Sequence, residues 1–240
     1  MTEAFAINTV GRVAASDYAK TCGTVLVFLG VLPQFLCAAD EKEARVTEVV
    51  RTVHLLESQA APRPATVNST VREGSAVRTG NESRAELTFK DLSITRLGAD
   101  TVFSFNPATR SYDLGSGAVL ISAPKGAGTL RINTAIATCA VSGFTAIVER
   151  RANAHNKFIL LNGDGVFTLK KFPHDPCRLH FGQAVISPPD PTRPPHVCGV
   201  DLSKVLHGGL VNGFKHKLPE SGQIAANIEK QKQASEEQKE

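Results

Sequence analysis

The sequence predicts an all-β fold, and three features carry that prediction. Short apolar runs alternate with polar residues at the two-residue period of a half-buried strand. Val, Ile, Thr and Phe, which suit a pleated surface, fill those runs. Turn signals recur roughly every ten residues, the spacing of a β-sandwich or of a solenoid-like stack of short antiparallel strands. With 240 residues, 42% hydrophobic and 21% charged, the chain can bury one real core and still carry appendages.

Taken in order, RVTEVVRTVHLLE from Arg45 to Glu57 alternates Val46, Glu48, Val50 and Thr52, which predicts a strand. Val46, Val49, Val50 and Val53 also fit a helix face, which the alternation matches almost as well, and the preference of Val and Thr favours the strand. A Pro-rich turn follows at Pro62 and Pro64, then strand residues from Thr70 to Val77 around a Gly74-Ser75 turn. Ala85, Leu87 and Phe89 alternate with Glu86, Thr88 and Lys90. Asp91 to Ser93 breaks that run, Ile94 to Leu97 resumes it, Gly98 to Asp100 turns again, and Val102 to Phe105 closes a three-stranded meander. Such a meander cannot hide its apolar face without further strands. Ser111 to Leu114, Gly115-Ser116-Gly117 and Ala118 to Ser122 predict a hairpin with a glycine turn. Pro124 to Gly128 is a loop before a strand at Leu130 to Ile132. TAIATCAVSGFTAIVE reads as a strand buried on both faces, with a bulge at Gly143. After a turn at Asn153 to Asn156, KFILLNGDGVFTLKKF predicts a second hairpin pivoting on Asn162-Gly163-Asp164-Gly165. Leu179 to Ile186 supplies a last strand around Gly182-Gln183.

The two ends differ in composition from the middle. Arg12 and Lys20 precede an uncharged run from Cys22 to Leu32, and Cys37-Ala38-Ala39 offers small residues for cleavage before Asp40. This predicts an export signal over residues 1–39 and a periplasmic or secreted protein. The alternative is an uncleaved anchor from Cys22 to Ala39, which would tie the protein to a membrane. A lipoprotein signal fails at Cys37, because Gln34-Phe35-Leu36 lacks the aliphatic residue required upstream. Near the other end, residues 189–199 form a Pro-rich linker, and residues 200–240 an extension that is partly helical or disordered. Within that extension Asp201 is placed to cap a short helix through Leu206, ended by His207-Gly208-Gly209.

Export changes the meaning of the cysteines. Cys139, Cys177 and Cys198 remain after the signal, and Cys177 and Cys198 flank the Pro-rich loop, so they are the natural disulfide pair in an oxidising compartment. Such a bridge closes a loop of about 20 residues and stabilises by about 3 kcal/mol if unstrained. The same region carries the one ligand-like spacing, His174-x2-Cys177-x2-His180 and then His196-x-Cys198, which suits zinc or a thiol-dependent enzyme. Cys139 sits in an apolar strand and reads as a core thiol. Gly115-Ser116-Gly117 lacks the strand-to-helix setting of a nucleophile elbow. PKGAGTL lacks the G-K-[ST] order of a phosphate loop. Glu82, Glu86 and Asp91 read as a wet strand face and turns, with Asp91 and Arg96 able to pair across a turn. The formal charge of +4 is spread along the chain, with no aromatic RNP-like strand and no lysine block, so nucleic acid is not indicated. No cofactor is indicated either.

One longer pattern resembles a family. GSAVRTGNESRAELTFKDLSITRLGADTVFSF is similar to the start of the FecR-type periplasmic domain, whose G-x-x-V-x-T-G-x-x-S-x-A-x-L-x-F-x-D-x-S core is followed by R-L-G. Gly74, Thr79, Gly80, Asp91, Arg96 and Gly98 stand at matching places, as do Val77, Ser83, Ala85, Leu87, Phe89, Ser93 and Leu97. Gly117, Gly143, Gly163 and Gly182 resemble the family's later turns, although Ser142 and Phe144 replace the usual Arg and Thr around Gly143. The resemblance implies a FecR-like β domain over residues 44–188 in which these motif residues are structural. It implies a non-catalytic signalling or scaffold module that binds an envelope protein or polymer. Too few residues precede Cys22 for the anti-sigma segment of the best-known members, so the expectation is a stand-alone module.

Overall fold

The computed structural model describes residues 43–151 and 154–237. The chain divides into two compact units, Met1–Ala39 and Asp40–Glu240. The first unit, with the expected export signal, lies outside the described residues.

Among the described residues the chain forms β1 (Glu43–Val50), β2 (Val53–Leu56), β3 (Arg63–Pro64), β4 (Thr70–Arg72) and β5 (Ala76–Thr79). Next come β6 (Arg84–Phe89), β7 (Ile94–Leu97), β8 (Val102–Asn106), β9 (Ser111–Ser122) and β10 (Thr129–Asn133). The late strands are β11 (Ala137–Arg150), β12 (Asn156–Leu169), β13 (Cys177–His180), β14 (Gln183–Ser187) and β15 (Val197–Gly199). Three helices end the chain: α1 (Leu202–Leu206), α2 (Gly209–Asn212) and α3 (Ser221–Glu237). The fold is all-β.

All the strands belong to one hydrogen-bonded network that doubles back on itself, because β9, β11 and β12 each serve two sets of neighbours. The first half of β9 pairs with β8 and, in parallel, with β10; its second half pairs with β7 and β11. Two layers result. One runs β4, β1, β6, β7, β9, β11, β12, β14, β15; the other runs β3, β2, β5, β8, β9, β10, β11, β12, β13. Val46, Leu87, Leu97 and Phe158 of the first layer share a buried cluster with Leu55, Phe103, Ile132 and Phe167 of the second. A sandwich is thus closed by strands that turn its corners.

This arrangement corrects several expectations. The predicted hairpins at Gly115–Gly117 and at Asn162–Gly165 are not reversals: β9 and β12 run straight through them and bend. Gly117 takes φ +87°, and a Cβ there would lie 2.3 Å from Thr101 Oγ1, so the corner closes only around a residue without a side chain. Gly163 takes φ +84° and packs its backbone on the β11 bulge, where a Cβ would sit 2.6 Å from the Gly143 carbonyl. The single strand expected from Arg45 to Glu57 breaks at Arg51 (φ +59°), which carries the chain from one layer to the other. The three-stranded meander breaks likewise, since β7 pairs with β6 and β9 while β8 crosses to β5. The expected strand from Leu179 to Ile186 splits at Phe181-Gly182 into β13 and β14, which pair with opposite halves of β12. Part of the expected linker is strand as well, because β15 adds to β14.

The C-terminal helices cover the outer face of the first layer. Asp201 caps α1 by accepting from Ser203 N at 3.0 Å. The Ser203 hydroxyl donates to the same carboxylate oxygen at 2.6 Å and is the main influence holding the Asp201 carboxyl below its usual range. Leu202, Leu218 and Ile224 close over Leu120, Ile147 and Leu161, apolar residues that alternate with the inner core residues of β9, β11 and β12. Each fully buried side chain of this size contributes roughly 2 kcal/mol. Further along α3, Asn227 donates to Leu161 O and Asn162 Oδ1, both at 3.2 Å.

Candidate binding groove

Beneath the C-terminal cover lies a buried polar network that the strand pattern placed in water. Arg96 is fully buried, its Nε 2.9 Å from Glu86 Oε2. Its other nitrogens donate to the carbonyls of Val211 (2.8 Å), Leu210 (3.5 Å) and His216, and its guanidinium lies 4.6 Å from the Phe214 ring centroid. Thr47 donates to Glu86 Oε1 at 2.8 Å, and Glu48 accepts from Lys215 N at 3.0 Å. The expected Asp91–Arg96 pair is therefore absent. Asp91 accepts instead from Ser93 N at 2.9 Å, fixing its own turn, and lies 3.8 Å from Arg110. Glu86, expected on a wet face, is buried because residues 210–216 lie over it.

Where the chain changes layers, its turns leave an open groove of about 1040 Å³. Arg51, Glu82 to Arg84, Gly98 to Asp100, Ser116 to Ala118, Glu149 to Arg151 and Gly209-Leu210 line it. Its frame is made by family-motif residues. Thr79 Oγ1 accepts from Thr101 N at 2.9 Å and donates to the Gly98 carbonyl at 2.5 Å. Gly80 N donates to Thr52 O at 3.0 Å, Gly98 N to Ala118 O at 2.8 Å, and Thr52 N to Ser83 Oγ at 3.1 Å. Of the six non-glycine residues with positive φ among the described residues, Arg51, Glu82 and Asp100 line this groove. Residues held in that region cluster where surrounding structure fixes a site.

The groove lining presents hydroxyl and charged side chains. Among the described residues neither His nor Cys lines it, and its hydroxyls face carbonyls: Ser83 Oγ donates to Asn81 O at 2.9 Å and Ser116 Oγ to Asp100 O at 3.3 Å. What it presents is charge of both signs, with Arg51 paired to Glu82 and Arg151 paired to Glu149 at 2.6 Å. Arg150 donates to the Gly115 carbonyl.

The remaining predicted residues are distributed elsewhere. Gly74 (φ +78°) turns between β4 and β5, Gly143 (φ +54°) sits in the β11 bulge, and Gly182 (φ +76°) donates to Leu160 O at 2.8 Å. Cys177 and Cys198 are free thiols in the structure. Cys177 donates to Pro195 O at 3.4 Å and Cys198 to Ala184 O at 3.5 Å. Burial and the nearby Asp175 raise the Cys177 thiol above its ordinary range. His180 pairs with Asp164 at 2.5 Å on the surface, and among the described residues no three of His, Cys, Asp and Glu converge on one ion position. Cys139 is buried within β11, and burial pushes its thiol well up.

Residues 75–164 match the family model described as FecR protein. Two crystal structures of a candidate anti-sigma factor from Parabacteroides distasonis are similar in fold. They have TM-scores of 0.47 and 0.49 and identities of 15% and 17%. The matches cover 55% and 57% of this chain, and 65% and 64% of those chains, just under two thirds of their length. No curated protein matches.

Proposed function

We propose that the chain is a non-catalytic cell-envelope module that holds a protein partner in the groove at its turn end and takes part in signalling. The observation that carries this reading is that FecR-motif residues frame the groove: Thr79, Gly80, Ser83 and Gly98 anchor its turns. Attachment of a partner strand at a sheet edge is the competing route, and the edges oppose it. β4 and β15 have three residues each, β13 has four, and β3 has two, one of them Pro64. Short, proline-bearing edges discourage strand addition. The test places a photo-crosslinking residue at position 116 in the groove and, as control, at position 108 on another part of the surface. Irradiation of cells exporting each variant should give a discrete adduct from position 116 alone. Equal labelling from both positions would remove the groove from the function.

A further inference from the structure

We propose that Arg84 is an anchor for a carboxylate side chain of an extended acidic peptide lying in the groove, which names the partner chemistry for the reading above and rests on it. Arg84 leads into β6 and lines the groove. Among the described residues its guanidinium makes no hydrogen bond and no ion pair, and its Nε is buried with no acceptor. Its guanidinium carbon lies 6.0 Å from the centroid of the Phe214 ring. A half-buried cation with a desolvated, unpartnered nitrogen is unfavourable unless an anion completes it.

The acids nearby do not complete it. Glu82 is engaged by Arg51, and Glu149 by Arg151 and Lys157. Asp100 makes no ion pair with it among the described residues. The fold nevertheless makes room for the guanidinium. Gly209 and Gly213 flank it so closely that a Cβ would lie 3.2 Å and 2.7 Å from Arg84 Nη1. Glycines thus leave a notch in the C-terminal cover that admits a planar fork, the geometry that takes a carboxylate by two parallel hydrogen bonds.

Size and charge choose the class of ligand. A volume of about 1040 Å³ lies at the top of the small-molecule range of about 300–1,000 Å³. The groove is open and mixed in sign, with Arg51, Arg84, Arg150 and Arg151 facing Glu82, Asp100 and Glu149. A uniform polyanion would meet three carboxylates on the walls, whereas an extended peptide can place one acidic side chain at Arg84, since Arg51 and Arg151 are engaged by Glu82 and Glu149 and Arg150 by the Gly115 carbonyl.

The experiment uses the full chain and two labelled, end-blocked peptides, one carrying Glu-Val-Asp and the other Gln-Val-Asn, read by fluorescence anisotropy at two salt concentrations. The acidic peptide should bind more tightly than its amide twin by about tenfold, with affinity falling as salt rises. Arg84→Gln should weaken the acidic peptide by about tenfold and leave the amide peptide unchanged, while Arg84→Lys should recover part of the loss. Equal binding of the two peptides by the unaltered protein would overturn the proposal without need of any variant. So would an Arg84→Gln protein, with unchanged urea midpoint, that binds normally, or heparin displacing the acidic peptide at lower charge concentration than free acidic peptide does. A position-116 adduct together with equal peptide binding would retire this inference and leave the groove's role standing.

Discussion

Arg96 is the residue on which the C-terminal cover is pinned. Removing it strands the Glu86 carboxylate and the carbonyls of Val211 and His216 away from water. Arg96→Leu should therefore lower unfolding free energy by roughly 3–5 kcal/mol, measured by urea denaturation. Adding Glu86→Leu should restore only part, because the carbonyls stay unpartnered; full recovery would show that the carboxylate alone carried the loss. Alkaline pH tests two other buried groups. Burial raises the Cys139 thiol above its ordinary 9.0 and, more than any other influence, the Tyr112 hydroxyl above its ordinary 10.0. The folded state then keeps protons that the unfolded chain releases, so stability is full below about pH 9 and falls as pH rises further. A urea midpoint that rises between pH 9 and 11 would contradict that sign. Cys139 should also resist iodoacetamide in the native protein and be alkylated in urea, as peptide mass mapping will read.

At the scale of elements, glycine decides between a hairpin and a corner. A turn such as Leu114-Gly115-Ser116-Gly117-Ala118 has the residues of a reversal, and local sequence offers no means to reject one. The choice falls to partners. Ser116 pairs with Val102 in one layer, and Ala118 pairs with Glu149 in the other. Gly117→Ala should destabilise by about 3 kcal/mol, since the added carbon meets both the Thr101 backbone and its hydroxyl. Gly74→Ala, at a turn with open space around it, should lose less, so a thermal-melt ranking of the two separates packing from backbone preference.

For the whole molecule, the C-terminal residues are part of the fold and not a tail. Ending the chain after Val200 would bare Leu120, Ile147 and Leu161 together with the Glu86–Arg96 pair. The truncated protein should bind a hydrophobic dye and melt well below the full chain. An unchanged melting temperature would mean that the sandwich closes without its cover. The groove depends on the same cover, because Gly209 and Leu210 form one of its walls.

The sequence by itself determined the strand-rich class, the positions of most strands, the α1 cap at Asp201 and the FecR-type motif, because each rests on neighbours within a few residues. It also carried Cys139 into the core through the apolar run around it. The tertiary structure alone decided which glycines bend a strand, why Glu86 and Arg96 are dry, and how Arg51, Arg84, Arg150 and Gly209 meet in one groove. Those outcomes depend on contacts between segments up to 167 residues apart, as between Glu48 and Lys215. Alternation along a strand reports only that one face differs from the other. What comes to lie over the second face is set by distant chain, and no local period records it.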